Sequence, residues 1–180
     1  MKKLIGLALI VTTLLVSCEK EKDNQRQQDD NFHFTYKANG TSKAYTGYIG
    51  AHLDTTNGFV ELTVLGAPAA TSFDNYLGFY LSNDDGKGSI GTGQFLDTQT
   101  NYTLLSTYAV SAVEYEAGQS VAMDAVTDNV TIANHFKVNI TSMDKTTIRG
   151  TFSGDYFVDG SAKNGAKLTI TDGDFYLKFL

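Results

Sequence analysis

The sequence predicts an all-β fold: an antiparallel β-sandwich of about ten strands, with a β-barrel-like sheet as the alternative. Apolar residues recur at every second position through most of residues 32–180, which is the periodicity of strands with one buried face. Asn-Gly or Asp-Gly pairs separate these runs, from Asn39-Gly40 to Asp172-Gly173, and such pairs readily adopt the positive φ of tight turns. No stretch of this region has the spacing of a strong amphipathic helix.

The chain begins with a segment typical of secretory signals. Lys2 and Lys3 precede the apolar run Leu4–Val16, which is shorter than the roughly 20 residues of a bilayer-spanning helix. The run leads into Leu15-Val16-Ser17-Cys18, which resembles the lipobox of bacterial lipoproteins. We therefore predict a lipoprotein signal peptide over residues 1–17 and lipidation of Cys18, the only cysteine. An uncleaved N-terminal anchor, or cleavage elsewhere by the general signal peptidase, is the alternative.

Residues 18–31 are predicted to be the lipidated cysteine followed by a disordered tether. Glu19–Asn31 contains no apolar residue, so it cannot bury enough surface to offset the entropy of ordering. As a flexible coil it would span about 20 Å. Its acidic start resembles the surface-export signals of Bacteroidetes lipoproteins, with a plain solvated spacer as the alternative. The predicted location is the outer membrane, where the lipid anchor would hold the protein on either the periplasmic side or the cell-surface side.

Residues 32–180 are predicted to form a single β domain, because no linker, charge block or repeat divides them. Removal of residues 1–17 takes away two lysines and lowers the formal net charge from −6 to −8. Nucleic acid is therefore not an expected partner, since binding it normally requires a basic face. A single cysteine leaves no internal disulfide, so the domain depends on its core.

The inward positions of the predicted strands follow from the alternation. The final run should lie centrally in the core, and the best helix candidate is Ser111–Met123, where Gly118 and the alternation fit strands equally well. In chain order the predicted inward residues are Phe32, Phe34 and Tyr36; Ile49, Ala51 and Leu53; Val60, Leu62 and Val64; Leu77, Phe79 and Leu81; Phe136, Val138 and Ile140; Ile148, Gly150 and Phe152; and Phe175, Leu177 and Phe179.

The C-terminal part carries a family resemblance. The stretches Ile140–Asp144, Gly150–Gly154 and Leu168–Phe175 combine an Ile-Thr turn, a Gly-Thr-Phe-Ser strand and a closing Ile-Thr-Asp-Gly-x-Phe strand. Together with the lipobox signal, they resemble a family of Bacteroidetes lipoproteins that has no assigned activity. The resemblance implies a location and a β fold, but no catalytic or binding residue.

Two loop motifs are candidate sites for a dinucleotide or a calcium ion. Gly86–Gly91 spells G-x-G-x-x-G, but no helical pattern follows to present its N-terminus to a pyrophosphate, so no cofactor is predicted. Asp84 and Asp85 are calcium candidates because calcium favours several oxygens on a flexible loop; solvated turn acids are the alternative. The histidines lack the spacing of a metal motif, so no metal site is predicted from them: His33, His52 and His135.

Tyrosine residues are further candidates for a ligand-binding surface. Tyrosines on the polar side of their strands could form a ligand face, with ordinary cross-strand packing as the alternative. The absence of Trp argues against a sugar-stacking platform. The candidates for this face are Tyr76, Tyr80 and Tyr176.

Two further sequence features are candidate sites, one for hydrolysis and one for glycosylation. Glu114 and Glu116 share one strand face and could stand at the separation that glycoside hydrolysis requires. Asp54-Thr55-Thr56 resembles the O-glycosylation acceptor of Bacteroidetes, with Thr55 as the acceptor. No nucleophile elbow occurs, and no residue is assigned a catalytic role.

The sequence thus predicts a non-catalytic binding or interaction module of the cell envelope, anchored to the membrane by lipid, with a protein or glycan partner. A small exported hydrolase that acts on glycans through carboxylates brought together by the fold is the first alternative, and a purely structural component of the cell envelope is the second.

Overall fold

The computed structural model describes residues 32–56, 58–71, 74–83 and 89–180, all within one compact unit that covers residues 31–180. These residues form eleven strands and one helix. In chain order they are β1 (His33–Ala38), β2 (Thr41–Tyr45), β3 (Tyr48–Asp54), β4 (Glu61–Ala67), β5 (Asn75–Ser82), β6 (Gly93–Leu96), β7 (Thr103–Val110), β8 (Val113–Gly118), α1 (Gln119–Thr127), β9 (Lys137–Met143), β10 (Thr147–Val158) and β11 (Lys167–Lys178).

The strands pair antiparallel in one sheet that nearly closes into a barrel. Its order is β2-β1-β11-β10-β8-β7-β5-β4-β3, with β9 beside β10 and β6 beside β9. The C-terminus links β11 to β3, because Phe179 forms a parallel bridge with Ala51, whose carbonyl accepts the N–H of Leu180 at 2.9 Å. The predicted all-β antiparallel class is confirmed. Of the two architectures left open, the sheet adopts the barrel-like one rather than the sandwich that the sequence favoured.

The two longest strands explain why alternation left the architecture open. β10 and β11 each contain 12 residues, and β10 pairs with β9 through Ile148–Ser153 but with β8 through Phe157 and Val158. The alternation of a strand indicates which face is buried, but it does not indicate which partner each half of the strand meets.

The barrel interior is filled by the residues that alternation places inward. Phe34, Leu62, Leu81 and Ile148 are fully buried, as are most of the other predicted inward residues. β11 lies between β1 and β10, and its Leu177 is also fully buried. This arrangement agrees with the predicted central position of the last strand.

Glycines on the inward face receive aromatic rings from neighbouring strands. At Gly66 of β4, an added Cβ would lie 2.8 Å from the Tyr45 ring and 2.9 Å from the Phe34 ring. Alternating small and large inward residues is the usual way to fill a small barrel. The same arrangement pairs Gly150 with Phe175, Gly154 with Phe136 and Gly173 with Phe152.

The turns of the structure agree with those predicted from Asn-Gly and Asp-Gly pairs at some positions and differ at others. Asn39-Gly40 joins β1 to β2 with positive φ at both residues, 46° and 79°, as a two-residue hairpin requires. Ser111-Ala112 makes the same kind of turn between β7 and β8, with φ of 53° and 64°, although neither residue is typical there. The prediction of a turn at Asp172-Gly173 is wrong, because the pair lies inside β11 where the register with β1 and β10 shifts. It forms a β-bulge with φ of 51° at Asp172, and such bulges bend long strands.

The helix begins later than its candidate segment. Val113–Gly118 is strand β8, and α1 starts at Gln119 after Gly118, whose φ is 109°. On its buried side α1 packs Val121 and Ala125 against Phe157 of β10 in a small cluster of its own. Within the described ranges, no helix is both long and apolar enough to cross a membrane.

We expect Gly66→Ala to destabilise the domain by about 1–3 kcal/mol, because the new methyl group would overlap the Tyr45 and Phe34 rings and overpacking has costs of this size. Gly91→Ala is the matched control, since nothing lies within 4 Å of its added Cβ. Urea denaturation of both variants measures the difference. Equal midpoints for the two variants would contradict the packing described here.

Candidate functional site

Three inward tyrosines meet near one end of the barrel. Tyr36 lies on β1, Tyr45 ends β2 and Tyr108 lies on β7. The ring of Tyr36 is 5.7 Å from that of Tyr45, and also 5.7 Å from that of Tyr108, which it meets edge to face. Each of the three side chains is almost completely buried by its neighbours. The β1–β2 hairpin positions two of them, because its short turn fixes which residues face each other.

A chain of hydrogen bonds connects the hydroxyl groups. The hydroxyl of Tyr36 donates to the hydroxyl of Tyr45 at 3.1 Å, and the hydroxyl of Tyr45 donates to Oδ1 of Asn75 at 3.0 Å. Asn75 is the first residue of β5 and pairs with Val110, at the end of β7. The chain therefore ends on the amide oxygen of Asn75.

The phenols of Tyr36 and Tyr45 stay protonated near neutral pH because burial raises the pKa of both. Burial raises the pKa of Tyr45 to about 12, with a smaller opposite effect from its hydrogen bond with Tyr36. Burial also raises the pKa of Tyr36 far above its usual range, and the bond to Tyr45 adds to that effect. At neutral pH Tyr36 and Tyr45 therefore carry neutral hydroxyls and are not phenolate nucleophiles.

A cavity of about 330 Å³ opens over this cluster. Its volume falls in the range of pockets that hold small molecules. We name it the tyrosine pocket, and its lining includes Tyr36, Tyr45, Tyr108, Asn75 and Lys43. Lys43 lies on β2 directly across from Tyr36.

The rim of the tyrosine pocket depends on one glycine. Gly47, between β2 and β3, approaches Pro68 so closely that an added Cβ would lie 1.7 Å from the Pro68 carbonyl oxygen. Both residues line the pocket, so any other residue at position 47 would force the rim apart. Pro68 follows β4 directly and lies in a loop, as its sequence context predicts.

The tyrosines predicted as a ligand face lie elsewhere. Tyr76 and Tyr80 are on β5, whereas Tyr176 is on β11, and three strands separate β5 from β11 along the sheet. Tyr76 is buried in an outer cluster with Leu65 and Ala109, and the ring of Tyr176 packs 4.8 Å from that of Phe32. The three therefore do not form one row, and their packing resembles ordinary cross-strand contact.

The two glutamates considered for hydrolysis lie on β8, opposite Ala109 and Thr107 of β7. Glu114 accepts a hydrogen bond from the Tyr76 hydroxyl at 3.1 Å. Burial, and after it the Glu114 charge, raises the pKa of Tyr76. Neither Glu114 nor Glu116 belongs to the lining of the tyrosine pocket.

The three histidines lie on separate elements. His33 on β1 pairs with Asp174 of β11 at 2.6 Å, and His135 pairs with Asp97 at 2.9 Å. His52 lies on β3 opposite Thr63. Among the described residues, no three or more His, Cys, Asp or Glu side chains are grouped so that they could hold a metal ion.

Two buried aspartates hold the segment before β9 in place. Asp97 accepts the N–H of Phe136 at 2.8 Å and a hydrogen bond from His135. Burial raises the pKa of Asp97, and these two bonds offset only part of that effect. An Asp-His pair of this kind also occurs in catalytic sites, but here the carboxylate is occupied by backbone and fixes the loop.

Asp155 of β10 is the second of these aspartates. It accepts hydrogen bonds from Asn134 and, at 2.7 Å, from the Thr169 hydroxyl. Burial alone would raise its pKa, but these bonds and the Lys167 charge together lower it. The network is satisfied internally, which accounts for a buried charge without a ligand.

Several predicted sites fall outside the described ranges. These are Cys18 with its tether, the calcium candidates Asp84 and Asp85, and Gly86 and Gly88 of the glycine motif. Thr55 does lie within a described range. It is exposed in the loop between β3 and β4, where a modifying enzyme can reach it, and its glycosylation stays a prediction.

Sequence reasoning did not identify the tyrosine pocket. Alternation correctly places Tyr36 inward, but β2 and β7, which carry Tyr45 and Tyr108, were not among the runs it marked. The sequence feature that could have indicated these residues is a tyrosine at an inward position near the end of each strand. Tyr36 and Tyr45 are brought together by the β1–β2 hairpin, but Tyr108 meets them from β7, which pairs with neither strand. Alternation does not encode such a contact.

Comparison of the chain with protein-family models, with curated proteins and with solved structures finds no match.

We expect the stability of the domain to fall as the pH rises above 10. An unfolded chain loses its phenol protons near pH 10, whereas the folded chain keeps that of Tyr45 to about pH 12. The unfolded state thus binds fewer protons in this window, so the free energy of unfolding decreases with pH. Tyr45 alone should account for about 2 kcal/mol by pH 12.

Urea denaturation between pH 8 and 12 measures this slope, with Tyr45→Phe as the matched variant because it lacks the ionisable group. The variant should lose less stability than the wild type over this interval. Identical slopes would mean that the Tyr45 hydroxyl is not protected as described.

Proposed function

We propose that this chain is an exported, lipid-anchored binding protein of the outer membrane, and that its tyrosine pocket receives a small ligand. The observation that carries the binding role is the pocket itself: a cavity of about 330 Å³ floored by buried tyrosines with an ordered chain of hydroxyls. Pockets that combine aromatic walls with a few fixed polar groups are typical of small-molecule sites.

Binding rather than catalysis is favoured by the groups in the lining. Among the described residues that line the tyrosine pocket, none carries a carboxylate or an imidazole. General acid-base chemistry relies most often on such groups. The alternative of a glycan-directed hydrolase has no comparable observation in its favour, since Glu114 lies outside the pocket and is engaged by Tyr76.

The anchoring part of the proposal comes from the sequence. The signal-like residues 1–17, the lipobox resemblance ending at Cys18 and the acidic segment that follows all favour export and attachment by acyl chains. Stable attachment needs two or more such signals, and the lipobox resemblance implies three acyl chains. In this proposal the tether holds the ligand site away from the lipid headgroups, facing either the periplasm or the cell surface.

We expect Cys18→Ser to release the protein from membranes, because the sulfur that would carry the diacylglycerol is lost. Ser17→Ala is the matched control, since it keeps a small residue before Cys18 and should leave the protein in the membrane fraction. Fractionation after an alkaline carbonate wash measures both. Retention of Cys18→Ser in the pellet, at the level of the control, would refute the anchor.

We expect at least one small molecule to raise the melting temperature of the domain through the tyrosine pocket, because a ligand that binds only the folded state stabilises it. The probes are neutral monosaccharides, sugar acids, aromatic acids and choline. Thr46→Trp should abolish the shift by filling the pocket, which Thr46 lines.

The matched control is Thr131→Trp, at an exposed site outside the pocket lining. It should keep the shift of the wild type. The binding role is wrong if no probe stabilises the wild type, or if Thr46→Trp responds as the control does.

A further inference from the structure

The polar groups of the tyrosine pocket differ in the hydrogen-bonding capacity that remains after they have bonded to each other. Tyr36 donates to Tyr45, and Tyr45 donates to the amide oxygen of Asn75. The side-chain oxygen of Asn75 thereby already accepts one hydrogen bond, while its amide nitrogen carries two donors. Because Asn75 lines the pocket, the end of the hydroxyl chain can offer N–H donors to a ligand.

Lys43 adds a positive charge to the same lining. Its position on β2 across from Tyr36 places it on the pocket side of the hairpin. It is the only charged residue among the described residues of the lining, and no carboxylate within the described ranges forms a salt bridge with it. An ammonium group has three donors and no acceptor, so it too favours a ligand oxygen.

This charge lies in a chain whose formal net charge is −6. A single cation in the lining of a cavity creates a local preference for anions. The small exposed parts of the tyrosine rings in the lining add apolar contact to the body of a ligand. A cavity of about 330 Å³ holds the volume of about ten water molecules at liquid density, about 30 Å³ each.

We infer that the tyrosine pocket binds a small carboxylate-bearing ring, the chemistry of a sugar acid, with the carboxylate at Lys43 and the Asn75 amide and the ring over the tyrosines. This inference rests on the proposed binding function and names its ligand class. Hydrogen bonds between charged groups are the stronger ones, and a site built to pair a polar group rejects the analogue that lacks it.

Aromatic clusters also recognise cations, most clearly quaternary ammonium groups. The arrangement here disfavours that outcome, because Lys43 would repel a cation and the Asn75 amide would present donors to it. A neutral sugar would keep the contact with the rings but would leave the Lys43 charge without a partner. Choline and glucose are therefore the informative competitors of a sugar acid.

The experiment measures binding of glucuronate, glucose and choline by calorimetry to the folded domain, at low and at high salt. Glucuronate should bind at least about tenfold more tightly than glucose at low salt, and high salt should reduce that advantage. Lys43→Met keeps most of the side-chain stem and should weaken glucuronate about tenfold. Lys145→Met, in the turn between β9 and β10 outside the pocket lining, is the matched control and should bind as the wild type does.

A second variant separates recognition from folding. Asn75→Asp keeps an oxygen that can accept the hydrogen bond of Tyr45, so the domain should retain its melting temperature. It replaces the amide donors by a negative charge, so glucuronate binding should be lost.

Two outcomes would overturn the ligand class and leave the binding function standing. In one, glucose or choline binds as tightly as glucuronate and Thr46→Trp abolishes that binding. In the other, glucuronate binds but Lys43→Met and Asn75→Asp do not weaken it. If no probe of any class binds the wild type, the proposed function fails together with the ligand class.

Discussion

The packing of aromatic rings on glycines is the constraint on which the rest of this structure depends. A nearly closed sheet leaves little room inside, and bulky residues on every strand would not fit. The chain resolves this by placing glycine where a neighbouring strand contributes a ring, as Gly66 does beneath Tyr45 and Phe34. Because protein interiors are packed at crystal-like density, such contacts fix the relative positions of strands that are distant in sequence.

The tyrosine pocket is a consequence of the same constraint. Because Gly66 has no side chain, the ring of Tyr45 packs directly against β4. From this position its hydroxyl reaches Asn75 on β5. The hairpin turn at Asn39-Gly40 brings Lys43 across from Tyr36. Core packing thus determines where the hydroxyl chain ends and which donors remain for a ligand. The neutral phenols of Tyr36 and Tyr45, the Lys43 cation and the Asn75 amide give the pocket a defined chemistry.

The sequence could predict the class of fold and most of its inward face, because alternation reflects burial on each strand separately. Phe34, Leu62 and Leu177 are inward and buried as their phase predicts. The closure between Ala51 and Phe179 and the bulge at Asp172 could not be predicted, because both depend on which strands meet. Alternation also pointed to outer tyrosines such as Tyr76, whereas the pocket is formed by inward tyrosines of β1, β2 and β7, and β7 pairs with neither of the other two strands.

The most direct measurement follows the ring signals of tyrosine by NMR, with carbon-13 in the tyrosine rings, as glucuronate is added to the folded domain. Binding in the tyrosine pocket should shift the signals of Tyr36, Tyr45 and Tyr108 together, because their rings adjoin one cavity. The signals of Tyr80 and Tyr176, on other parts of the sheet, should stay in place. Shifts confined to those outer tyrosines, or no shift in the three pocket tyrosines, would contradict the assignment of the ligand site.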